Sequence, residues 1–176
     1  DEVFARELAT DPVRQHYQGI KDNQDQWTLR TPEYKQARLD AANAALQEMK
    51  ARFPLDALNP QGRLNYLLYE DKVTRLNQGV PWQHHGYGIT QMRGTHSWIP
   101  SFLINVHRVS EERDARAYIQ RLMGVGAVID IAIQELEHSH ERGILPPAFV
   151  FPMVIDDCQN LLKGAPFEDT APGPWL

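Results

Sequence analysis

One cysteine, Cys158, is all that the 176 residues contain, which excludes an internal disulfide framework and a zinc site built on paired thiolates, and leaves the redox compartment open. No apolar run approaches the ~20 residues that cross a bilayer, so no transmembrane helix is expected. Residues 1–9 lack the basic start and apolar stretch of an export signal. Clustered positive charge is missing too. Eighteen basic residues stand against 23 acidic ones, and they are scattered, so no phosphate-tracking surface and no nucleic-acid partner are expected. The short motifs of hydrolytic and nucleotide chemistry are absent as well: there is no Gly-x-Ser-x-Gly elbow and no glycine-rich phosphate loop. A His-Glu-x-x-His pair, which places two imidazoles one turn apart on one zinc ion, fails at its last position. His140 is followed by Glu141, but Ile144 stands where the second histidine belongs.

What the sequence does have is helical periodicity, strongest over residues 110–143. Ser110 is positioned as an N-cap, with Glu111 and Glu112 set favourably against the positive helix end. Ala115, Tyr118, Leu122, Val125, Ile129, Ala132 and Leu136 then recur at alternating spacings of three and four, until Gly143, Pro146 and Pro147 stop the pattern. A helix of this length spans roughly 48 Å and needs partners along it. Arg121 and Asp130 read as surface charges or inter-helix ion pairs.

Around this helix the remaining signals are also helical. Phe4 and Leu8 share a face, and Asp11 with Pro12 starts a second short helix that ends at Gly19. Residues 20–30 form a polar loop pinned by Trp27. Thr31, Pro32 and Glu33 open a helix with Tyr34, Ala37, Ala41, Ala45, Met49 and Phe53 on one face, closed by Pro54. Asn59 and Pro60 open the next, with Leu64, Leu67, Leu68, Val73 and Leu76 on one face until Gly79. These two form an expected antiparallel pair. Residues 149–162 make a last helix with Pro152 in its first turn, Gly164 as C-cap, and an extended, proline-rich tail over residues 166–176. The expected architecture is all-α: an antiparallel helical bundle with one long central helix, forming a single domain over residues 1–165.

Residues 80–100 break the pattern, with three glycines, three histidines and two tryptophans and no sustained helical period; short strands around residues 87–92 would account for part of it. Pro100 precedes a short helix carrying Phe102, Leu103 and Val106. The loop gathers the candidate substrate-binding residues Gln91, Arg93, Gly94, His96 and Trp98. Gly94 admits close backbone approach, Gln91 and His96 carry hydrogen-bonding groups for a peptide backbone, and Trp98 offers an apolar face. The competing reading makes Trp82 and Trp98 core anchors and the histidines ordinary surface groups. A second cluster, Glu135, Glu137, His138, His140 and Glu141, holds two Glu-x-x-His spacings. Both lie on one helix and point about 200° apart at ~100° per residue, so they do not converge on one metal. No catalytic residue and no metal ligand is assigned in this chain.

Three stretches carry a family resemblance: "ELATDPVRQHYQGIKDNQDQW", "ITQMRGTHSWIPSFLINVH" and "DARAYIQRLMGVGAVIDIAIQELEHSHERGILPP". The last is the most specific, a Tyr-x-x-Arg-Leu helix followed by a Gly-x-x-Pro-Pro break. The chain resembles the bacterial domain-of-unknown-function 885 proteins, which are similar to zinc metallopeptidases. In that family the zinc-binding His-Glu-x-x-His helix lies well downstream, so the resemblance implies an N-terminal portion of a larger helical protein. It implies one wall of a cleft, with the rest of the same polypeptide as partner, a peptide as substrate and zinc in the full-length parent. Because members commonly carry an export signal or lipoprotein anchor, it also implies a periplasmic or cell-envelope location. The alternative is an autonomous helical protein-binding module without enzymatic activity.

Overall fold

A computed structural model describes residues 2–163, which hold seven α-helices and no named strand among them. The all-α expectation holds. The gly-capped end at residue 164 and the extended tail over residues 166–176 lie outside the described residues. Where the sequence reads as one domain over residues 1–165, two compact units are delineated, Asp1–Gly86 and Tyr87–Leu176, and each is described by itself.

The first unit contains α1 (Glu2–Ala9), α2 (Pro12–Tyr17), α3 (Pro32–Arg52) and α4 (Pro60–Gly79). Three of their starts follow from local chemistry. Asp11, Thr31 and Asn59 each accept a hydrogen bond from a first-turn N–H, with proline next in sequence, where its missing N–H has no intrahelical partner to lose. Gly19, at φ 76°, sits just past α2 in the left-handed conformation that ends helices. Trp27 is buried and anchors the loop before α3, as its lone large apolar side chain predicts.

α3 and α4 pair antiparallel. Asn43 and Asn77 exchange amide hydrogen bonds at 2.8 and 3.2 Å, and the Lys50 ammonium meets Glu70, so contacts advance along α3 as they retreat along α4. Their core is Ala42, Leu46 and Val73, with Met49 and Tyr69 against it. The faces read from the sequence are only partly the buried ones. Ala45 is inside, but Ala37 and Ala41 are exposed, and on α4 only Val73 is buried while Leu64, Leu67, Leu68 and Leu76 face outward.

In the second unit, α5 (Thr95–Asn105), α6 (Glu112–Glu141) and α7 (Val150–Asn160) follow a turn-rich segment, and α5 packs on both α6 and α7. The irregular segment is shorter than residues 80–100 predict. Residues 80–82 form a 3-10 turn and residues 95–100 already belong to α5, which runs through Pro100 because Ile99, Phe102 and Leu103 are buried together on its inner face. Of the expected strands there is one isolated antiparallel bridge, Thr90 with Arg93.

The long helix forms over 30 residues, ~45 Å, and closes as predicted. Gly143 stands at φ 71°, and Ile144 donates back to the Ser139 carbonyl at 2.9 Å, the bond that satisfies a helix-end carbonyl. Its start and its inward face differ from expectation. Glu111, not Ser110, is the N-cap, and Asp114 reaches back to accept from the Ser110 N–H at 3.0 Å and hydroxyl at 2.7 Å. The buried residues are Asp114, Ala117, Arg121 and Ser139, whereas Leu122 and Ile129 of the expected stripe are exposed. The apolar stripe therefore lies on the flank, and a line bearing two ionisable residues faces in.

Candidate functional site

The chain enters α5 through a tight turn. Thr90 donates its N–H to the Arg93 carbonyl at 2.8 Å and accepts the Arg93 N–H at 3.3 Å, while its hydroxyl oxygen also receives the N–H groups of Met92 and Arg93. This lifts Met92 to the tip and leaves Arg93 exposed, with Gln91 half-buried. Gly94 then caps α5 in extended backbone, and its carbonyl accepts from the N–H groups of Ser97 and Trp98 and from the Ser97 hydroxyl.

The choice of glycine follows from its neighbour. The His96 ring is folded against Gly94 so closely that a Cβ there would fall 2.7 Å from Nδ1 and 2.8 Å from Cε1. The imidazole is 6% exposed, and its Nε2 lies 3.8 Å from an Asp157 carboxylate oxygen of α7, beyond hydrogen-bond reach. Neither ring nitrogen makes a hydrogen bond. A buried polar group in this state carries a desolvation cost of order 1–3 kcal/mol, one that a ligand or water can relieve. The structure thus brings Gly94 and His96 together and adds Asp157. Nothing in the sequence pointed to Asp157, which arrives from a helix some sixty positions later.

The other candidates are arranged differently. Trp98 lies two positions beyond His96 on the same helix, ~200° around it, so the two do not line one small pocket. Its ring packs instead toward Phe102, centroids 5.8 Å apart. Trp82 is exposed and meets His85 edge-on at 5.0 Å, so it is no core anchor.

Arg121 is not the surface charge that one of its two sequence readings makes it. It is fully buried, with its guanidinium 4.8 Å from the Phe102 ring centroid and Nη1 3.1 Å from His107 Nδ1. Arginine only donates, so Nδ1 accepts and this ring is the neutral tautomer with its proton on Nε2. Tyr118 stacks edge-on against the same imidazole at 5.2 Å. The Tyr118-x-x-Arg121 spacing therefore serves the junction of α5 and α6 and holds the inner side of the helix that presents His96.

Residues 12–173 match the family described as bacterial protein of unknown function (DUF885). The chain belongs to this family. No curated protein and no solved structure matches it significantly. The resemblance puts zinc in the full-length parent rather than on residues of this chain. Among the described residues no three His, Cys, Asp or Glu side chains are grouped to hold a metal ion. Around Glu135, Glu137, His138 and His140, in the last turns of α6, Arg142 donates to the His138 carbonyl at 3.1 Å, a helix-end contact. No helix among the described residues is long and apolar enough to cross a membrane.

Proposed function

We propose that this member of the DUF885 family is the non-catalytic N-terminal helical portion of a zinc-dependent, peptidase-like hydrolase and forms one wall of its substrate cleft. The rest of the same polypeptide is its partner and supplies the chemistry. The observation that carries this reading is the balance of its apolar surface. Among the described residues, twenty-seven large apolar side chains are exposed against thirteen buried apolar residues, with Leu64, Leu67 and Leu68 on α4 and Phe151, Met153 and Ile155 on α7 among the exposed. Scattered apolar side chains are ordinary, but rows of them along helices are surfaces built to be covered.

Within that wall, His96 with Gly94 is the ligand-facing element, Gln91 and Arg93 belong to the turn that leads into it, and Trp98, on the other side of α5, packs toward Phe102 instead. The buried and unbonded imidazole supports the assignment, since a peptide group offers both a donor and an acceptor to such a ring. A periplasmic or envelope location follows from the same family analogy. The test is the size of the native protein in its source cells, by immunoblot and peptide mapping of the band. A band several times heavier with a His-Glu-x-x-His peptide is expected. A native band near 20 kDa, the mass of these 176 residues, would sink the reading and favour an autonomous binding module.

A further inference from the structure

The imidazole assigned to ligand contact is sealed. Both ring nitrogens of His96 are buried and without a hydrogen bond, so a solvent-sized group has no access to either while the surroundings stay in place. The Nδ1–Cε1 edge lies against Gly94, and a methyl of Ile89 reaches the same point: a Cβ built on Gly94 would fall 2.7 Å from Nδ1 and 3.1 Å from Ile89 Cγ2. The other nitrogen, Nε2, faces Asp157 of α7. Cover therefore comes from α7 on one side and from the turn over residues 88–94 on the other. α7 is anchored by the buried side chains of Val150 and Val154, whereas no residue of the turn is buried. The turn is the side that can give way.

This turn is tied firmly to itself and lightly to the rest of the fold. Among the described residues, every hydrogen bond of residues 88–93 stays inside it, between Thr90 and residues 92 and 93. A glycine stands at each end, Gly88 against the Leu136 side chain of α6 and Gly94 at the start of α5. A braced piece of chain between two glycines has the form of a hinged lid, because the end positions absorb the change in φ and ψ while the piece between keeps its shape. Segments with few buried contacts also open at a far lower free energy than the core does. The closed position has its own cost, since it leaves two imidazole nitrogens dry, and lifting the turn hydrates them.

We propose that residues 88–94 are a strap that closes over His96 and lifts about Gly88 and Gly94 to admit a ligand to the imidazole. Ile89 is its inner side, and Met92, 84% exposed, is its outer tip. The strap rests on the assignment of His96 as the ligand-facing residue of the cleft wall. A native band near 20 kDa would remove that assignment however the strap behaves, whereas the chemistry of the histidines reads the strap alone.

Diethyl pyrocarbonate acylates an imidazole nitrogen only when the reagent reaches it, and peptide mass mapping of the treated native protein follows each histidine separately. Two others set the scale. His85 is exposed, and His107 is 2% exposed and meets Arg121 at the junction of α5 and α6. His96 is expected to react at least ~tenfold more slowly than His85, because the strap covers it, and at least ~tenfold faster than His107, because the strap opens without the core. Ile89→Ala removes the covering methyl and is expected to raise the His96 rate several-fold with that of His107 unchanged. A His96 rate equal to that of His85 means that nothing covers the ring, and one equal to that of His107 means that the ring is bared only when the core opens. Either result overturns the proposal. So does a His96 rate indifferent to Ile89→Ala, or a rise that His107 shares in full.

Discussion

Gly94→Ala places a methyl group where the His96 ring already stands. The added Cβ would lie 2.7 Å from Nδ1, 2.8 Å from Cε1 and 3.1 Å from Cγ2 of Ile89, all inside van der Waals contact. The backbone adds no strain of its own, because φ 162° and ψ 178° are extended values open to alanine. The effect is therefore steric. The imidazole is 6% exposed and fits between Gly94 and Asp157, so it yields only by leaving its site. Overpacking of this kind costs about 1–3 kcal/mol, which for a chain of this length lowers the melting temperature by roughly 2–10 °C. Thermal and urea unfolding of Gly94→Ala, His96→Ala and the double variant closes a cycle. In the His96→Ala background the Gly94 substitution is expected to lose most of its cost. A Gly94→Ala protein as stable as the parent, or a loss of the same size with and without the His96 ring, would refute the close-packing argument and remove the basis for assigning a site there.

Two further outcomes follow from buried or paired carboxylates. Asp114 is fully buried and receives both the N–H and the hydroxyl of Ser110, so Asp114→Ala is expected to cost about 3 kcal/mol in urea unfolding and Ser110→Ala about 1; equal costs would contradict the assignment of Asp114 as the receiving group. At Glu7, burial by itself raises the carboxyl pKa, but the hydrogen bond and charge of Lys72, the hydrogen bond of Arg14 and the charge of Arg38 outweigh it and hold the group below its ordinary 4.5. A carboxylate lowered on folding stabilises above its unfolded pKa, and the contribution disappears as pH falls through the folded value. Stability measured from pH 6 to pH 3 is thus expected to fall less steeply in Glu7→Gln than in the parent, and identical slopes would argue against the pairing.

How far the sequence could be read depends on how local each signal was. The starts of α2, α3 and α4 were legible because Asp11, Thr31 and Asn59 bond to their own first turns, and proline follows each. The end of α6 was legible for the same reason, in Gly143. The inward face of α6 was not. Ranking positions by apolarity selects the flank through Leu122 and Ile129, whereas burial selects Asp114 and Arg121. A charge is tolerated inside only when other groups receive it, and among the groups that meet Arg121 are His107 and the Phe102 ring of α5. The start of α5 was hidden by Pro100, which reads as a helix opening, while Ile99, Phe102 and Leu103 hold the helix together around it. At the candidate site, the value of Gly94 and His96 was visible in the residue types, but their mutual contact and the approach of Asp157 are tertiary facts.

The solitary thiol of Cys158 gives this arrangement a practical side. It is exposed on α7 and follows Asp157 directly in sequence, so a maleimide dye or nitroxide attaches at one defined position without any cysteine having to be removed first. A label there stands one residue from the carboxylate that faces His96, and its spectrum becomes a direct optical or magnetic record of whatever enters the space between α5 and α7.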